Sequence, residues 1–196
     1  MSGLIIHVSG PSGSGKTILG YKLKTQFKHK IIVKDLDDLR SEFINEYYGN
    51  KEWKYMNMIE YQKYINKYIS QQNKPIVFVG LNGELHGNKK IKEFYYKVHA
   101  QYNFFIELDD VTINKQKCIR FLTRIQHDER AMDELANNNN RFVKLFSDEI
   151  KHQCSLKETI KKNAEWRKDY RKQRYQFMSR ENIYKTVVKI LNKLLN

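Results

Sequence analysis

The sequence predicts an open α/β fold, a mainly parallel five-stranded sheet flanked by helices, on three observations. Four short runs rich in Ile, Val and Phe show little polar alternation, as strands covered on both faces require. The gaps between them, about 21, 40 and 24 residues, are each long enough for a crossover helix. A glycine cluster at 10–15 follows the first run directly and leads into a helix-compatible stretch. The first strand is expected at Leu4–Val8 and the first helix at Thr17–Phe27. A second strand follows at Lys30–Lys34, then a helix at Trp53–Ile69 that carries Trp53, Met56, Ile59, Ile65 and Ile69 near helical spacing. Strands at Pro75–Val79 and Phe104–Leu108 come next, then a helix at Val111–Ile125. The four-residue run Asn137–Asn140 favours neither helix nor strand and marks an exposed loop within residues 126–150. A helix at Leu156–Lys172, a weaker strand at Tyr175–Met178 and a helix at Asn182–Leu195 close the chain.

Composition narrows the class. The 196 residues are 40% hydrophobic and include 13 Tyr, 10 Phe and 2 Trp, enough for a real core in one domain. No apolar run approaches the ~20 residues that span a bilayer, and the first residues lack the basic and apolar segments of a secretory signal. Cys118 and Cys154 match no metal-ligand spacing and are expected as two reduced thiols of an intracellular, cytoplasmic protein. The formal charge of +14 is mostly lysine, and it is uneven. Residues 151–196 carry 13 basic and 4 acidic side chains, which keeps a nucleic-acid partner open.

The chemistry concentrates in Gly10-Pro11-Ser12-Gly13-Ser14-Gly15-Lys16-Thr17, which matches G-x-x-x-x-G-K-[ST] in its required setting between a strand and a helix. Glycines allow successive backbone N–H groups to turn toward one anion, and the helix N-terminus adds partial positive charge there. Lys16 then reaches the outer phosphates of a nucleoside triphosphate, and the Thr17 hydroxyl is placed to ligate Mg²⁺. ATP with Mg²⁺ is the expected ligand.

Further signals bear on what happens to the triphosphate. The second strand runs into Asp35-Leu36-Asp37-Asp38-Leu39-Arg40. Carboxylates at the carboxyl end of a parallel strand face the ligand edge of the sheet, where one serves Mg²⁺ and another takes a proton. The same residues also read as the capped, acidic start of a helix. Arg120 and Arg124 stand four apart on one helical face, as transferring phosphates require. His7, in an apolar strand, reads as a satisfied core residue.

With these residues the chain resembles the small P-loop kinases, the group that includes adenylate kinase, other nucleotide kinases and shikimate kinase. The resemblance covers nearly the whole length: the Gly10–Thr17 loop, the acidic end of strand two, a glycine-bearing third strand and a lid. It implies a three-layer P-loop fold over residues 1–196, with an acceptor-binding region at about 36–72 and a mobile helical lid at about 120–145. It further implies a phosphate-neutralising role for Arg120 and Arg124, with Arg167 and Arg171 as further phosphate-facing arginines. Leu156, Ile160 and Ala164 define an apolar stripe beside those last two. In Asp35-x-Asp37, which resembles the shikimate kinase pattern, the first acid serves the metal and the second the acceptor hydroxyl. Asp37-Asp38-Leu39-Arg40 also resembles the D-x-x-R element of polynucleotide 5′-hydroxyl kinases, whose Asp is the base.

The sequence departs from the family at the third strand, which ends Val79-Gly80-Leu81-Asn82-Gly83 without an Asp. Gly80 to Gly83 are therefore expected to let backbone approach the substrate, with Gly80 and Asn82 as substrate-binding residues and Glu84 or Asp35 serving the metal site. The expected activity is ATP-dependent phosphoryl transfer to a small-molecule acceptor such as a nucleoside, nucleotide or similar metabolite. A polynucleotide 5′-hydroxyl acceptor and a non-kinase ATPase, suggested by Asp109-Asp110 after the fourth strand, stay open. Tyr47, Tyr48, Tyr55, Tyr61 and Tyr64 read either as stacking surfaces for a base or as core.

Overall fold

The computed structural model describes residues 3–49, 57–82 and 97–195. Trp53, Tyr55, Met56, Gly83 and Glu84 lie outside the described residues. The chain divides into two compact units, one of residues 1–10, 15–107 and 169–196, the other of residues 11–14 and 108–168.

The first unit is built on a sheet of five parallel strands in the order β2-β3-β1-β4-β5. They are β1 (Ile5–Ser9), β2 (Ile32–Asp35), β3 (Ile76–Val79), β4 (Tyr102–Ile106) and β5 (Gln176–Met178). Each expected strand is present, shifted by one or two residues. β1 is central, with Ile5 opposite Ile76 on one side and Val8 opposite Phe104 on the other. Alternate residues of these strands supply two apolar layers. Ile6, Val8, Val77, Val79, Phe104 and Ile106 pack on Leu19, Leu23 and Phe27 of α1 (Lys16–Phe27) and on Ile183, Val187 and Leu191 of α8 (Arg180–Leu195). On the opposite face Ile5, Ile76 and Phe78 meet Leu36, Leu39 and Phe43 of α2 (Leu36–Tyr48) and Tyr61 and Ile65 of α3 (Met58–Ser70). Each fully buried Ile, Leu or Phe side chain stabilises the fold by roughly 1.5–3 kcal/mol. A parallel sheet between two helical layers, with a glycine-rich phosphate loop leaving the central strand, is a three-layer α/β P-loop fold.

α2 is an element the sequence did not separate. Its acidic start matches the capped-helix reading of these residues: Asp35 caps it, its side chain accepting from Asp37 N at 2.9 Å. Among the expected stacking tyrosines, Tyr61 is fully buried and donates to Leu36 O at 3.1 Å. Tyr48 instead donates to Glu60 at 2.8 Å, and Tyr47 is 51% exposed.

The second unit is helical: α4 (Asp110–Gln126), α5 (Glu129–Ala136), α6 (Asn140–Gln153) and the greater part of α7 (Leu156–Lys172). Asp109, Asp128 and Asn139 cap α4, α5 and α6 by accepting from backbone N–H groups. The asparagine run is the turn between α5 and α6, with Asn138 at φ 50° and Asn139 as cap. Asn tolerates the left-handed region better than other chiral residues, so the run makes a turn between two helices that the sequence left as irregular.

Two expectations are corrected here. Cys118 and Cys154 are joined in a disulfide, with Cα atoms 4.9 Å apart. Their separation of 36 residues fits no motif, and only the return of α6 toward α4 brings them together. The stripe Leu156, Ile160 and Ala164 is exposed, whereas Thr159, Asn163 and Trp166 are buried. Polar bonds replace apolar contacts along this face. Thr159 donates to Asn114 at 2.9 Å and accepts from Lys117 at 3.1 Å, and Asn163 donates to Asp110 at 2.6 Å.

Candidate phosphate-binding site

The carboxyl ends of β1, β2 and β3 lie side by side, with Val8 and Asp35 both in register with Val79. β1 ends in Ser9 and passes into the expected loop, Gly10–Thr17. Gly10, Gly13 and Gly15 take φ values of 155°, 85° and 84°, a region that side-chain-bearing residues rarely enter. Ser14 N donates to Pro11 O at 3.1 Å, and Ser12 and Gly13 are half-buried. α1 then begins at Lys16 with Gly15 as N-cap, no capping side chain and no acid in its first turn. By contrast α2, α3, α4, α5 and α6 are each capped by an Asp or Asn side chain. The first N–H groups of α1 thus keep the donors and partial positive charge that suit an anion. Lys16 Nζ donates to Gly10 O at 2.8 Å, folded back across the loop. Ser9 Oγ and Ser14 Oγ are buried with no hydrogen-bond partner among the described residues.

Thr17 and Asp35 meet, Thr17 Oγ1 standing 3.4 Å from Asp35 Oδ2. Burial raises the Asp35 carboxyl above its usual range, as do Asp37 and Asp38 nearby, against the lowering effect of the Asp37 N–H and Lys16. A hydroxyl and a carboxylate are the hard oxygen donors that Mg²⁺ takes, alongside waters and phosphate oxygens. The two residues therefore fit that ion. Asp35 fulfils both of its readings, as helix cap and as a carboxylate beside Thr17. Asp37 is exposed, and its Oδ1 accepts from Arg40 Nη2 at 2.8 Å, one turn along α2. Within the first unit the fold thus brings Lys16, Thr17, Asp35, Asp37 and Arg40 to one edge of the sheet.

Gly80 and Asn82 have internal work. Gly80 has φ 136°, and a Cβ there would come within 2.8 Å of Leu36 Cβ, so only glycine allows β3 to end against the start of α2. Asn82 is fully buried. Its Oδ1 accepts from Val98 N at 3.2 Å, its Nδ2 donates to the Tyr175 hydroxyl at 2.9 Å, and its N donates to the Tyr170 hydroxyl at 3.0 Å. The network continues to His7, as its sequence position suggested. Nε2 faces Gly80 O at 3.0 Å, an acceptor, and so carries the proton; Nδ1 then accepts from the Tyr175 hydroxyl at 2.6 Å. Burial, with Lys16 and Lys97 adding to it against the Gly80 bond, lowers the His7 pKa to about 4.

The remaining arginines divide. Arg171 lies in the first unit, its guanidinium 5.0 Å over the Phe177 ring and 4.0 Å from Glu107. Arg167, in the second unit, holds both oxygens of Asp110 at 2.8 and 3.0 Å and donates to Leu108 O at 3.0 Å. Burial works to raise the Asp110 carboxyl, but Arg167 and Asn163 outweigh it and hold it below the ordinary range. Arg120 and Arg124 are exposed on α4 of the second unit. Arg180, at the start of α8, is a neighbour the sequence reading passed over. It lies against Gly15, where a Cβ would meet its Nη1, Cδ and Cζ. The available signal was a scarce arginine two residues beyond a parallel strand, at the ligand edge of the sheet.

No family model matches the chain, and neither does any curated protein. Among solved structures it is similar to a thymidylate kinase from Ehrlichia chaffeensis, at 15% identity over 65% of this chain and 89% of that one, with a TM-score of 0.35. It is also similar to a shikimate kinase from Acinetobacter baumannii crystallised with shikimate, at 11% identity over 98% and 94% of the two chains, with a TM-score of 0.40. A protein from Eubacterium ventriosum is similar at 13% identity over 97% and 98%, with a TM-score of 0.41. The fold class rests on the chain's own topology and loop. Among the described residues, no helix is long and apolar enough to cross a membrane.

Proposed function

We propose that this protein is an ATP-dependent kinase that transfers the γ-phosphoryl group to a hydroxyl of a small-molecule acceptor, a nucleoside, nucleotide or similar metabolite. The observation that carries the reading is the uncapped start of α1 behind a glycine loop, with Lys16, Thr17 and the Asp35–Asp37–Arg40 group at the same sheet edge. Loop N–H groups and Lys16 hold the phosphates. Thr17 and Asp35 would hold Mg²⁺, which neutralises phosphate charge when bound. Arg40 steadies Asp37, and Asp37 takes the acceptor's proton while the new O–P bond forms and the bond to ADP breaks. An acceptor phosphate needs no such base, which is why the carboxylate group favours a hydroxyl. The roles that the resemblance implies for Arg120, Arg124, Arg167 and Arg171 belong to this proposal as well.

A screen with γ-labelled ATP across nucleosides, nucleotides and sugars tests the reading. Label should move to one acceptor class. Steady phosphate release with no labelled acceptor would favour a plain ATPase. Asp37→Asn keeps the shape and removes the base, so it should lower kcat on the true acceptor by ~10²–10⁴-fold with little change in ATP binding. Wild-type turnover in that variant would refute the assignment of the base.

A further inference from the structure

The two helical layers of the first unit differ sharply in charge. Residues 17–30 and α8 carry eight cations against a single acid, Glu181. α2 and α3, on the other face of the same sheet, carry three cations against five acids. A lysine-rich composition acts on both layers alike, so it does not explain the difference. On α8, Lys185, Lys189 and Lys193 are exposed at four-residue spacing, which gives one stripe with a step of about 6 Å along the helix. Glu181 is itself paired with Lys185 at 2.8 Å. α1 is joined to α8 through their shared apolar layer and the Tyr184–Gln26 hydrogen bond, and on the flank toward Glu181 it adds exposed Lys22. Tyr21, next to Lys22 in the chain, is 73% exposed.

We infer that the α1/α8 face is a binding surface for single-stranded nucleic acid. Lysine point charges at regular spacing suit a phosphodiester backbone. The exposed Tyr21 ring next to Lys22 suits stacking on a base whatever its sequence. An anionic membrane is less well matched, because the apolar stripe of α8 (Ile183, Val187, Leu191) is buried against the sheet and cannot enter lipid. The inference is independent of the acceptor proposed above, since it concerns another set of residues and a different readout.

The test is fluorescence anisotropy with a 20-mer of single-stranded DNA or RNA between 50 and 200 mM salt. For ~0.7 counterions released per phosphate neutralised, binding through these four lysines gives a log–log salt slope of about −3. Replacing Lys185, Lys189 and Lys193 together by Gln should reduce the magnitude of the slope by about 2 and weaken binding at least tenfold. The same charge change away from this face, Lys63→Gln with Lys67→Gln on α3 and Lys74→Gln in the connection to β3, serves as control and should leave binding nearly unchanged. ATP binding and the thermal midpoint verify that both variants are folded. A slope near zero, or equal losses in the two triple variants, would overturn the inference. So would sedimentation with phosphatidylserine-containing vesicles in the absence of oligonucleotide binding. Lys16→Ala should abolish phosphoryl transfer and leave oligonucleotide binding intact, which separates failure here from failure of the kinase reading.

Discussion

Lys16→Ala is expected to lower phosphoryl transfer by at least ~10²–10³-fold, several kcal/mol of transition-state stabilisation. Lys16 is the cation that opens α1, whose first turn holds no acid and whose N-terminus has no capping side chain to compete with a bound anion for its N–H groups. Its ammonium donates to Gly10 O, a neutral acceptor that a charged phosphate oxygen outcompetes. The loss should appear in kcat as well as in ATP affinity, because charge on the transferring group changes during the reaction. Since Lys16 is half-buried at the first position of α1 rather than in the core, the variant should melt close to the wild type. Steady-state kinetics beside a thermal melt check both halves of this prediction. A variant of full activity would remove the phosphate role from this loop.

The second large effect is on stability. His7 is fully buried and neutral, with its pKa lowered from 6.5 to about 4 by burial above all. In the unfolded chain it titrates near 6.5, so between pH 6.5 and 4 the unfolded state binds more protons. Stability therefore rises with pH across that window: the contribution is complete above pH 6.5 and is lost as pH falls toward 4. Two and a half units correspond to about 3 kcal/mol. Urea unfolding at pH 7 and at pH 4.5 measures the loss, and His7→Gln, which keeps an amide donor for Gly80 O, should flatten the profile in this window. Protonation leaves the Nε2–H bond to Gly80 O in place but removes Nδ1 as the acceptor of the Tyr175 hydroxyl, so the disturbance falls on Tyr175 and, through it, on Asn82. An unchanged pH profile in the variant would show that His7 is not the titrating group.

Much of this architecture is legible in the sequence because its signals are local. Apolar runs without alternation give five parallel strands, and the glycine spacing at 10–15 gives the phosphate loop. What escaped depends on contacts distant in the chain. Cys118 and Cys154 look like unrelated thiols until α4 and α6 fold back on each other. The buried face of α7 holds Thr159 and Asn163, polar residues that periodicity of hydrophobic side chains assigns to solvent. Asp37 and Asp38 were read both for their chemistry and as a helix start, and the same acidity does start α2, whose length to Tyr48 the sequence did not set out. Asn82 was read as a substrate amide, and only the fold reveals that His7, Tyr170 and Tyr175 draw it into an internal network. Arg180 reaches Gly15 across more than 160 positions of sequence, which no spacing rule anticipates.

The most direct test of the central claim, that the loop between β1 and α1 holds a triphosphate, is calorimetric titration of the intact protein with ATP and with AMP in Mg²⁺ buffer. If the loop N–H groups and Lys16 supply the binding free energy, ATP should bind at least ~10²-fold more tightly than AMP, and Lys16→Ala should remove most of that difference. Equal affinity for the two nucleotides, or no binding of ATP by the folded protein, would contradict it.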